Sequence, residues 1–126
     1  VVNTRHSVQN LGLRLEAGSP TKVFCYSGDG MFTPTASKLY TNADLLVHDA
    51  YTMDGTVQTP RGETINVGTK THCSMQQLER LDDMARPKKM ALIHVNRNLR
   101  KDKTEILKKY KQRRWIMPEP RDIIEL

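Results

Sequence analysis

Short apolar runs with the length of strands recur along the chain. In residues 11–15, leucine alternates with glycine and arginine, and this period-two pattern is typical of a half-buried strand. Three further runs are mostly apolar, as expected for strands buried on both faces. These runs are Val23–Tyr26, Asp44–Asp49 and Lys89–Val95. Two short segments, 115–117 and 123–124, predict closing strands near the end of the chain.

Three segments carry the start signals and the spacing of helices. Thr33-Pro34 predicts a helix start with proline in the first turn. Ser74 and Gln77 have the spacing of a capping box, in which each side chain bonds a free backbone amide at the helix start. The buried stripe of this second helix is predicted at Leu78, Leu81 and Ala85. Residues 102–113 predict a basic amphipathic helix that buries Ile106, Leu107 and Tyr110.

Residues 51–71 separate the two halves of this pattern. They contain several glycines and a proline and show little apolar periodicity, so we predict a long loop. Loops of this length in a compact domain are often functional. The predicted order of elements is β-β-α-β-loop-α-β-α-β. Because the helices return each strand to a neighbouring position, the sequence predicts one layer of an α/β sandwich.

Length and composition favour a single domain or a part of one. The chain has 126 residues, of which 37% are hydrophobic and 6% aromatic. This content gives a thin core for an independent α/β fold, so we expect residues 1–126 to form one partial domain that folds poorly in isolation. The sequence shows no signal peptide or transmembrane run, and two cysteines do not make a disulfide framework. These observations favour a cytoplasmic protein without a membrane partner.

The net charge of +6 is concentrated in one part of the chain. Residues 97–114 contain nine basic residues and only two acidic ones. Such a block favours attraction to a polyanion such as RNA. A solvated helix face is the alternative interpretation of the same pattern.

Candidate site residues lie where the predicted strands and helices meet loops. The strand 23–26 runs into Ser27-Gly28-Asp29-Gly30, where two glycines permit a tight turn around a carboxylate. The four histidines of the chain also occupy element boundaries: His6, His48, His72 and His94. Each of these residues has a structural interpretation as well, in a turn, in packing or in a cap. For His48 and for the thiol of Cys73 we prefer the structural interpretation.

Five short motifs contain these residues in a fixed order. The motifs are His6 with the following Ser7-Val8-Gln9-Asn10-Leu11-Gly12-Leu13-Arg14, then Ser27-Gly28-Asp29, His48-Asp49-Ala50-Tyr51, His72-Cys73-Ser74 and Leu92-Ile93-His94. Together they resemble the C-terminal half of the metallo-β-lactamase fold, and most closely its ribonuclease Z and phosphodiesterase-like branch. The resemblance extends over residues 5–98.

The resemblance implies a fold class and a chemistry. The fold class is α/β, as the C-terminal half of an αββα metallo-β-lactamase sandwich, and the activity is that of a metal-dependent hydrolase. His6, Asp29 and His94 are the implied metal ligands, with Asp29 bridging two divalent ions, and Asp49 with His72 is the implied catalytic pair that protonates the leaving group. Imidazole and carboxylate ligands suit zinc, with manganese or iron as alternatives. Two such ions can activate a hydroxide and clamp a phosphoryl oxygen, so a phosphodiester is the expected substrate.

The resemblance also implies a missing partner. The chain lacks the His-x-His-x-Asp-His motif that the family carries in its N-terminal half, so a preceding segment or a companion chain would supply it. RNA or another phosphodiester, and a second copy in a homodimer, are further expected partners. Gly30, Asp49 and Cys73 stand where the family usually has Thr, Glu and Ser. Two other functions stay open: a thioester or lactone hydrolase on the same fold, and a non-catalytic nucleic-acid-binding relative.

Overall fold

The computed structural model describes residues 1–4, 6, 9–68 and 71–126. Six strands form one mixed sheet in the order β1-β2-β3-β4-β7-β8, and β5 and β6 form a separate hairpin. The strands are β1 (Val2–Thr4), β2 (Asn10–Ala17), β3 (Lys22–Tyr26), β4 (Leu45–Asp49), β5 (Thr56–Gln58), β6 (Thr64–Asn66), β7 (Met90–Ile93) and β8 (Trp115–Ile116). The helices are α1 (Pro34–Leu39), α2 (Met75–Ala85), α3 (Arg97–Lys101) and α4 (Lys103–Lys109), followed by a 3₁₀ turn at Lys111–Arg113. Among the described residues, no helix combines the length and the apolar content needed to cross a bilayer.

The central strands follow the predicted pattern. β2 and β3 form an antiparallel hairpin, and β3, β4, β7 and β8 run parallel to one another. Parallel neighbours need crossover connections, and α1, α2 and the α3–α4 pair supply them. As a result, the carboxyl ends of β3, β4 and β7 lie along the same edge of the sheet.

Two helices begin where the sequence predicts them. The side chain of Thr33 accepts a hydrogen bond from the backbone N–H of Ala36 at the start of α1. Ser74 and Gln77 form the predicted capping box at the start of α2. Both helix starts are therefore confirmed, and both follow from local side-chain chemistry.

The C-terminal region differs from the prediction in two elements. Within the helix predicted over residues 102–113, the structure has α4 and a 3₁₀ turn. A further short helix, α3, precedes it and was not predicted; the Asn96 side chain accepts a hydrogen bond from the Leu99 N–H and caps its start. The strand predicted at 123–124 is wrong: both residues lie outside any strand, and Ile123 is 91% exposed.

The segment predicted as a loop, 51–71, contains the β5–β6 hairpin. Each of its two strands has a single apolar residue, Val57 or Ile65, so hydrophobic periodicity gives no strand signal there. The hairpin is held by its backbone hydrogen bonds and by the close approach of Gly55 and Gly68. The Gly68 N–H donates to the Gly55 carbonyl at 2.8 Å. Thr69 and Lys70, near the end of the predicted loop, lie outside the described residues.

The helices cover one face of the main sheet. On this face Cys25, Leu46, Met90 and Leu92 join helix residues in one buried cluster. Alternate residues of a strand point to opposite faces, so the register places a second set of apolar residues on the other face. These residues, which are half-buried or exposed, are Leu11, Leu13, Leu15, Phe24, Tyr26 and Val47. We call this set the open face.

Candidate metal centre

Four polar side chains meet at the edge where the parallel strands end. Asp29 follows β3, Asp49 is the last residue of β4 and His94 follows β7, while His72 lies in the segment that leads into α2. Sites in α/β sheets form beyond the carboxyl ends of parallel strands because the loops diverge there. Each of the four side chains offers a nitrogen or oxygen atom, and these atoms all lie within 4.8 Å of one another.

The exposed part of the cluster is formed by Asp29 and His94. The Nδ1 atom of His94 lies 2.6 Å from Oδ1 of Asp29 and 3.8 Å from Oδ1 of Asp49. His94 has a φ of 53°, a left-handed conformation that turns the chain immediately after β7. The two side chains are 44% and 47% exposed, so both are accessible to a ligand from solvent.

The buried part of the cluster is Asp49, whose side chain is fully enclosed. Its Oδ2 lies 3.0 Å from Nδ1 of His72 and accepts a hydrogen bond from the Cys73 backbone N–H at 3.4 Å. Its Oδ1 is buried and has no hydrogen-bond partner within the described residues. Burial raises the pKa of Asp49 to about 8, and the nearby His94 opposes this rise. A buried carboxylate oxygen with no donor beside it is suited to a cation.

His6 adjoins the cluster from the N-terminal side. Its Nε2 lies 3.7 Å from Oδ2 of Asp29, and its ring meets the His72 ring edge to face with centroids 5.4 Å apart. Asp29 therefore has His94 and His72 beside Oδ1, with their Nδ1 atoms at 2.6 and 3.1 Å, and His6 beside Oδ2. Ser7 and Val8, which belong to the motif around His6, lie outside the described residues.

Asn10 holds the turn that carries Asp29; it lies in the motif after His6, but sequence reasoning did not assign it to the site. Its Oδ1 accepts a hydrogen bond from the Asp29 backbone N–H at 3.2 Å, and its amide nitrogen bonds the hydroxyl of Thr4. Gly28 has a φ of +67°, and a Cβ at this position would collide with the Asn10 side chain. The glycine is therefore required both by the left-handed backbone and by the close approach of Asn10.

Tyr51 is a second residue that sequence reasoning did not assign to the site. Its ring stacks on the His72 ring, with centroids 4.4 Å apart and planes inclined by 29°. The same ring lies 5.2 Å from the His94 ring, and the two imidazoles are 4.8 Å apart. The only sequence signal was the position of Tyr51, two residues after Asp49 in a quoted motif.

His48 and Cys73 are placed in the protein interior, in agreement with the structural interpretation. The His48 ring meets the Tyr40 ring edge to face, and its Nδ1 lies 2.9 Å from the Asp49 backbone carbonyl. Burial lowers the pKa of His48 to about 4. Burial raises the pKa of the Cys73 thiol to about 12, so this thiol stays protonated at neutral pH.

A groove of about 710 Å³ lies beside the cluster, and it is lined by Tyr51, whose ring contacts the His72 and His94 rings. Leu99 and Ile106, both nearly buried, contribute apolar surface to it. The remaining lining combines the β5 segment with the start of α3: Thr52, Met53, Asp54, Thr56, Val57, Gln58, Thr59, Asn96, Arg97, Asn98 and Asp102. Groups bound in this groove would lie next to the four clustered side chains.

Comparison by sequence and by structure gives different results. No family model matches the chain, and no curated protein matches its sequence. The metallo-beta-lactamase fold protein YhfI from Bacillus subtilis matches in structure with a TM-score of 0.61 at 20% identity, over 80% of this chain. The short form of human tRNase Z matches with a TM-score of 0.59 at 22% identity, over 78% of this chain. A long form RNase Z from yeast matches with a TM-score of 0.55 at 20% identity, over 75% of this chain.

The matched region is a limited part of each of these proteins. It spans 39% of the Bacillus protein, 36% of the human protein and 13% of the yeast protein. At this level of identity the likeness shows the fold. The chain therefore has the α/β architecture of part of the metallo-β-lactamase fold, which confirms the fold class and the resemblance that the sequence predicts.

Proposed function

We propose that this chain supplies part of the active site of a metal-dependent hydrolase that cleaves phosphodiesters. The observation that carries the proposal is the convergence of Asp29, Asp49, His72 and His94 within 4.8 Å at the carboxyl edge of the sheet. Two of the three structural matches are named RNase Z or tRNase Z, which supports the substrate class.

The donor set fits divalent cations. Imidazole nitrogen and carboxylate oxygen are borderline-hard ligands that suit zinc, manganese or iron. The enclosed Oδ1 of Asp49 has no hydrogen-bond partner among the described residues, which supports positive charge beside the cluster. Divalent ions held by these residues would lower the pKa of a bound water and stabilise charge on phosphoryl oxygens.

His6, Asp29 and His94 are the proposed ligands from this chain. His94 and His72 lie beside Oδ1 of Asp29, whereas His6 lies beside Oδ2, so the two carboxylate oxygens face different imidazoles. This arrangement suits a bridging carboxylate, with one oxygen for each of two cations. The hydrogen bond from the Asp29 backbone N–H to Asn10 fixes the turn that carries the carboxylate.

Asp49 and His72 are the proposed proton-transfer pair. Because Nδ1 of His72 lies 3.0 Å from the buried Oδ2 of Asp49, the contact orients the ring and leaves Nε2 for the leaving-group oxygen. The Cys73 N–H bonds the same carboxylate oxygen and helps to hold it in place. A positioned acid of this kind serves phosphodiester cleavage, in which an alkoxide must be protonated as it leaves.

The charge of residues 97–114, of which Arg97 lines the groove, favours a polyanionic substrate. Of the nine basic residues in 97–114, only Arg100, Lys103 and Arg113 form ion pairs with carboxylates of the described chain. The other six are exposed: Arg97, Lys101, Lys108, Lys109, Lys111 and Arg114. Their charge is therefore available to phosphates.

The remaining ligands would come from an N-terminal half of the same fold, in a preceding segment or a companion chain. The open face supports this proposal because it presents apolar side chains on the side of the sheet that the helices leave uncovered. The limited share of each matched protein, 13–39%, agrees with a larger complete fold.

The test is metal analysis of the complete protein together with a substrate panel of a bis-aryl phosphodiester, an RNA oligonucleotide and a thioester. We expect bound divalent metal, and phosphodiester cleavage that a chelator abolishes and added metal restores. Preferential thioester cleavage would assign the other hydrolase function. RNA binding without metal and without cleavage would assign the non-catalytic function.

A further inference from the structure

Tyr51 makes ring contacts with two histidines of the proposed site. Its ring stacks on His72 with centroids 4.4 Å apart and lies 5.2 Å from the His94 ring, inclined by 51°. The His72 and His94 rings in turn meet edge to face at 4.8 Å. The three rings form one contiguous group, in which each ring touches the other two.

The backbone of Tyr51 contacts the segments that carry the same two histidines. Its N–H donates to the carbonyl of Cys73 at 2.9 Å, and its carbonyl accepts from the N–H of Asn96 at 3.2 Å. Cys73 directly follows His72, and Asn96 lies two residues after His94. One residue therefore ties both segments to the end of β4.

Each imidazole is held at Nδ1 by carboxylates, His72 by Asp49 and Asp29 and His94 by Asp29. Because neither residue lies in a helix or a strand, the ring contacts with Tyr51 supply a second point of support. The His94 side chain is 44% exposed. A side chain in such a position retains rotamer freedom unless its neighbours restrict it. Metal ligands and proton donors act only within about 10–20° of the productive orientation.

We propose that Tyr51 is a positioning residue whose ring fixes the orientation of both the His72 and His94 imidazoles. This inference rests on the proposed function, because it assigns His94 to metal binding and His72 to proton transfer. The contact with both imidazoles is made by the ring, so the proposal requires an aromatic ring at position 51 and does not require the phenolic hydroxyl.

The test compares Tyr51→Phe with Tyr51→Leu in the complete protein. Loss of partners that orient metal ligands typically costs about 10–100-fold in metal affinity or activity. We expect Tyr51→Leu to lose that much in kcat and in metal affinity, measured by competition with a chelator, with KM unchanged. Tyr51→Phe should stay within about twofold of the wild type. Equal kcat and equal metal affinity in the two variants would overturn the proposal. A loss of more than tenfold in Tyr51→Phe would by itself overturn it, even if Tyr51→Leu does not fold.

Imidazole NMR of the metal-free protein supplies a readout that is independent of activity. The Tyr51 ring should shift the His72 ring protons upfield; Tyr51→Phe should retain this shift and Tyr51→Leu should lose it. An unchanged shift in Tyr51→Leu contradicts the stacking and overturns the proposal, even if the wild type binds no metal. A wild type without metal and without hydrolysis rejects the proposed function, whereas an active, metal-loaded Tyr51→Leu rejects the positioning role alone.

Discussion

His72 and His94 are the same residue type at one sheet edge, and we propose different roles for them because their surroundings differ. His94 is 44% exposed and faces the accessible carboxylate of Asp29. His72 is 16% exposed, and its Nδ1 lies 3.0 Å from the fully buried carboxylate of Asp49 and 3.1 Å from Oδ1 of Asp29. An exposed imidazole beside a shared carboxylate suits a metal ligand, whereas an imidazole backed by a buried carboxylate suits a proton donor.

Substitution of His72 should separate proton transfer from metal binding. We expect His72→Ala in the complete protein to retain its metal and to lower kcat by about 10²–10⁴-fold for a phosphodiester with an alkoxide leaving group. The loss should be much smaller for a nitrophenolate leaving group, which departs without a proton. Turnover of both substrates and elemental analysis of the protein provide the measurement.

His94→Ala is the matched control for this experiment. Because His94 is a proposed ligand, this variant should lose metal, and its kcat should fall equally for both substrates. Loss of metal from His72→Ala, or an equal defect for the two leaving groups, would contradict the role of His72 as the acid.

The sequence alone located the residues that end strands and missed those that depend on tertiary contacts. Asp29 and His94 were visible because each follows an apolar run, and the end of a strand is a local feature. Asn10 and Tyr51 were not visible as site residues. Asn10 reaches Asp29 across two paired strands, and Tyr51 contacts rings more than 20 residues away in sequence.

At the scale of elements, the basic segment formed by α3, α4 and the 3₁₀ turn combines packing with charge. On its inner side the segment buries Ile106 and Tyr110. The Tyr110 ring stacks on the buried ring of Trp115, with centroids 4.6 Å apart. Its outer surface carries the six basic residues that lack carboxylate partners in the described chain. The segment is therefore well anchored on one side and electropositive on the other.

Replacement of Lys108, Lys109 and Lys111 with Gln should weaken binding of an RNA oligonucleotide and flatten its salt dependence. Each lysine that neutralises a phosphate contributes about 0.7 to the slope of log K against log salt for single strands, so the slope should fall by up to about 2. Binding titrations at several salt concentrations measure it. Lys38→Gln, an exposed lysine on α1, is the control and should leave the slope unchanged; an unchanged slope in the triple variant would leave the segment a solvated face.

Element types were predictable where side chains cap or pack in a periodic pattern, as in α1, α2 and the central strands. The β5–β6 hairpin was not predictable in this way, because backbone pairing and the contact of Gly55 with Gly68 hold it without an apolar face. The short helix α3 was missed because the capping role of Asn96 depends on where the chain leaves β7.

At the scale of the whole molecule, the two faces of the main sheet differ in how well they are covered. The helix side is closely packed, whereas the open face carries Leu11 at 45% and Leu15 at 58% exposure. Contiguous exposed apolar surface on a sheet indicates a contact surface. A second sheet from the N-terminal half of the fold would cover it, since stacked sheets bury their facing sides against each other.

Two leucine-sized residues of similar exposure allow this arrangement to be tested. Leu15 is 58% exposed on the open face, and Met84 is 55% exposed on α2. If the open face is covered in the complete protein, Leu15→Ala should lower the free energy of unfolding by about 2 kcal/mol or more, as in protein cores. Met84→Ala should change it by less than about 0.5 kcal/mol. Denaturant titration measures both, and a Leu15→Ala effect as small as that of Met84→Ala would mean that the open face is solvated.

The central claim is that Asp29 bridges two cations, and the metal content of Asp29→Ala in the complete protein tests it most directly. Removal of a bridging carboxylate leaves two cations close together with less neutralising charge. We therefore expect elemental analysis to show a fall from about two bound ions to one or none, together with loss of hydrolysis. Asp83→Ala, which removes an exposed carboxylate paired with Arg113, should retain the bound metal and the hydrolytic activity. Full metal occupancy in Asp29→Ala would contradict the bridging role.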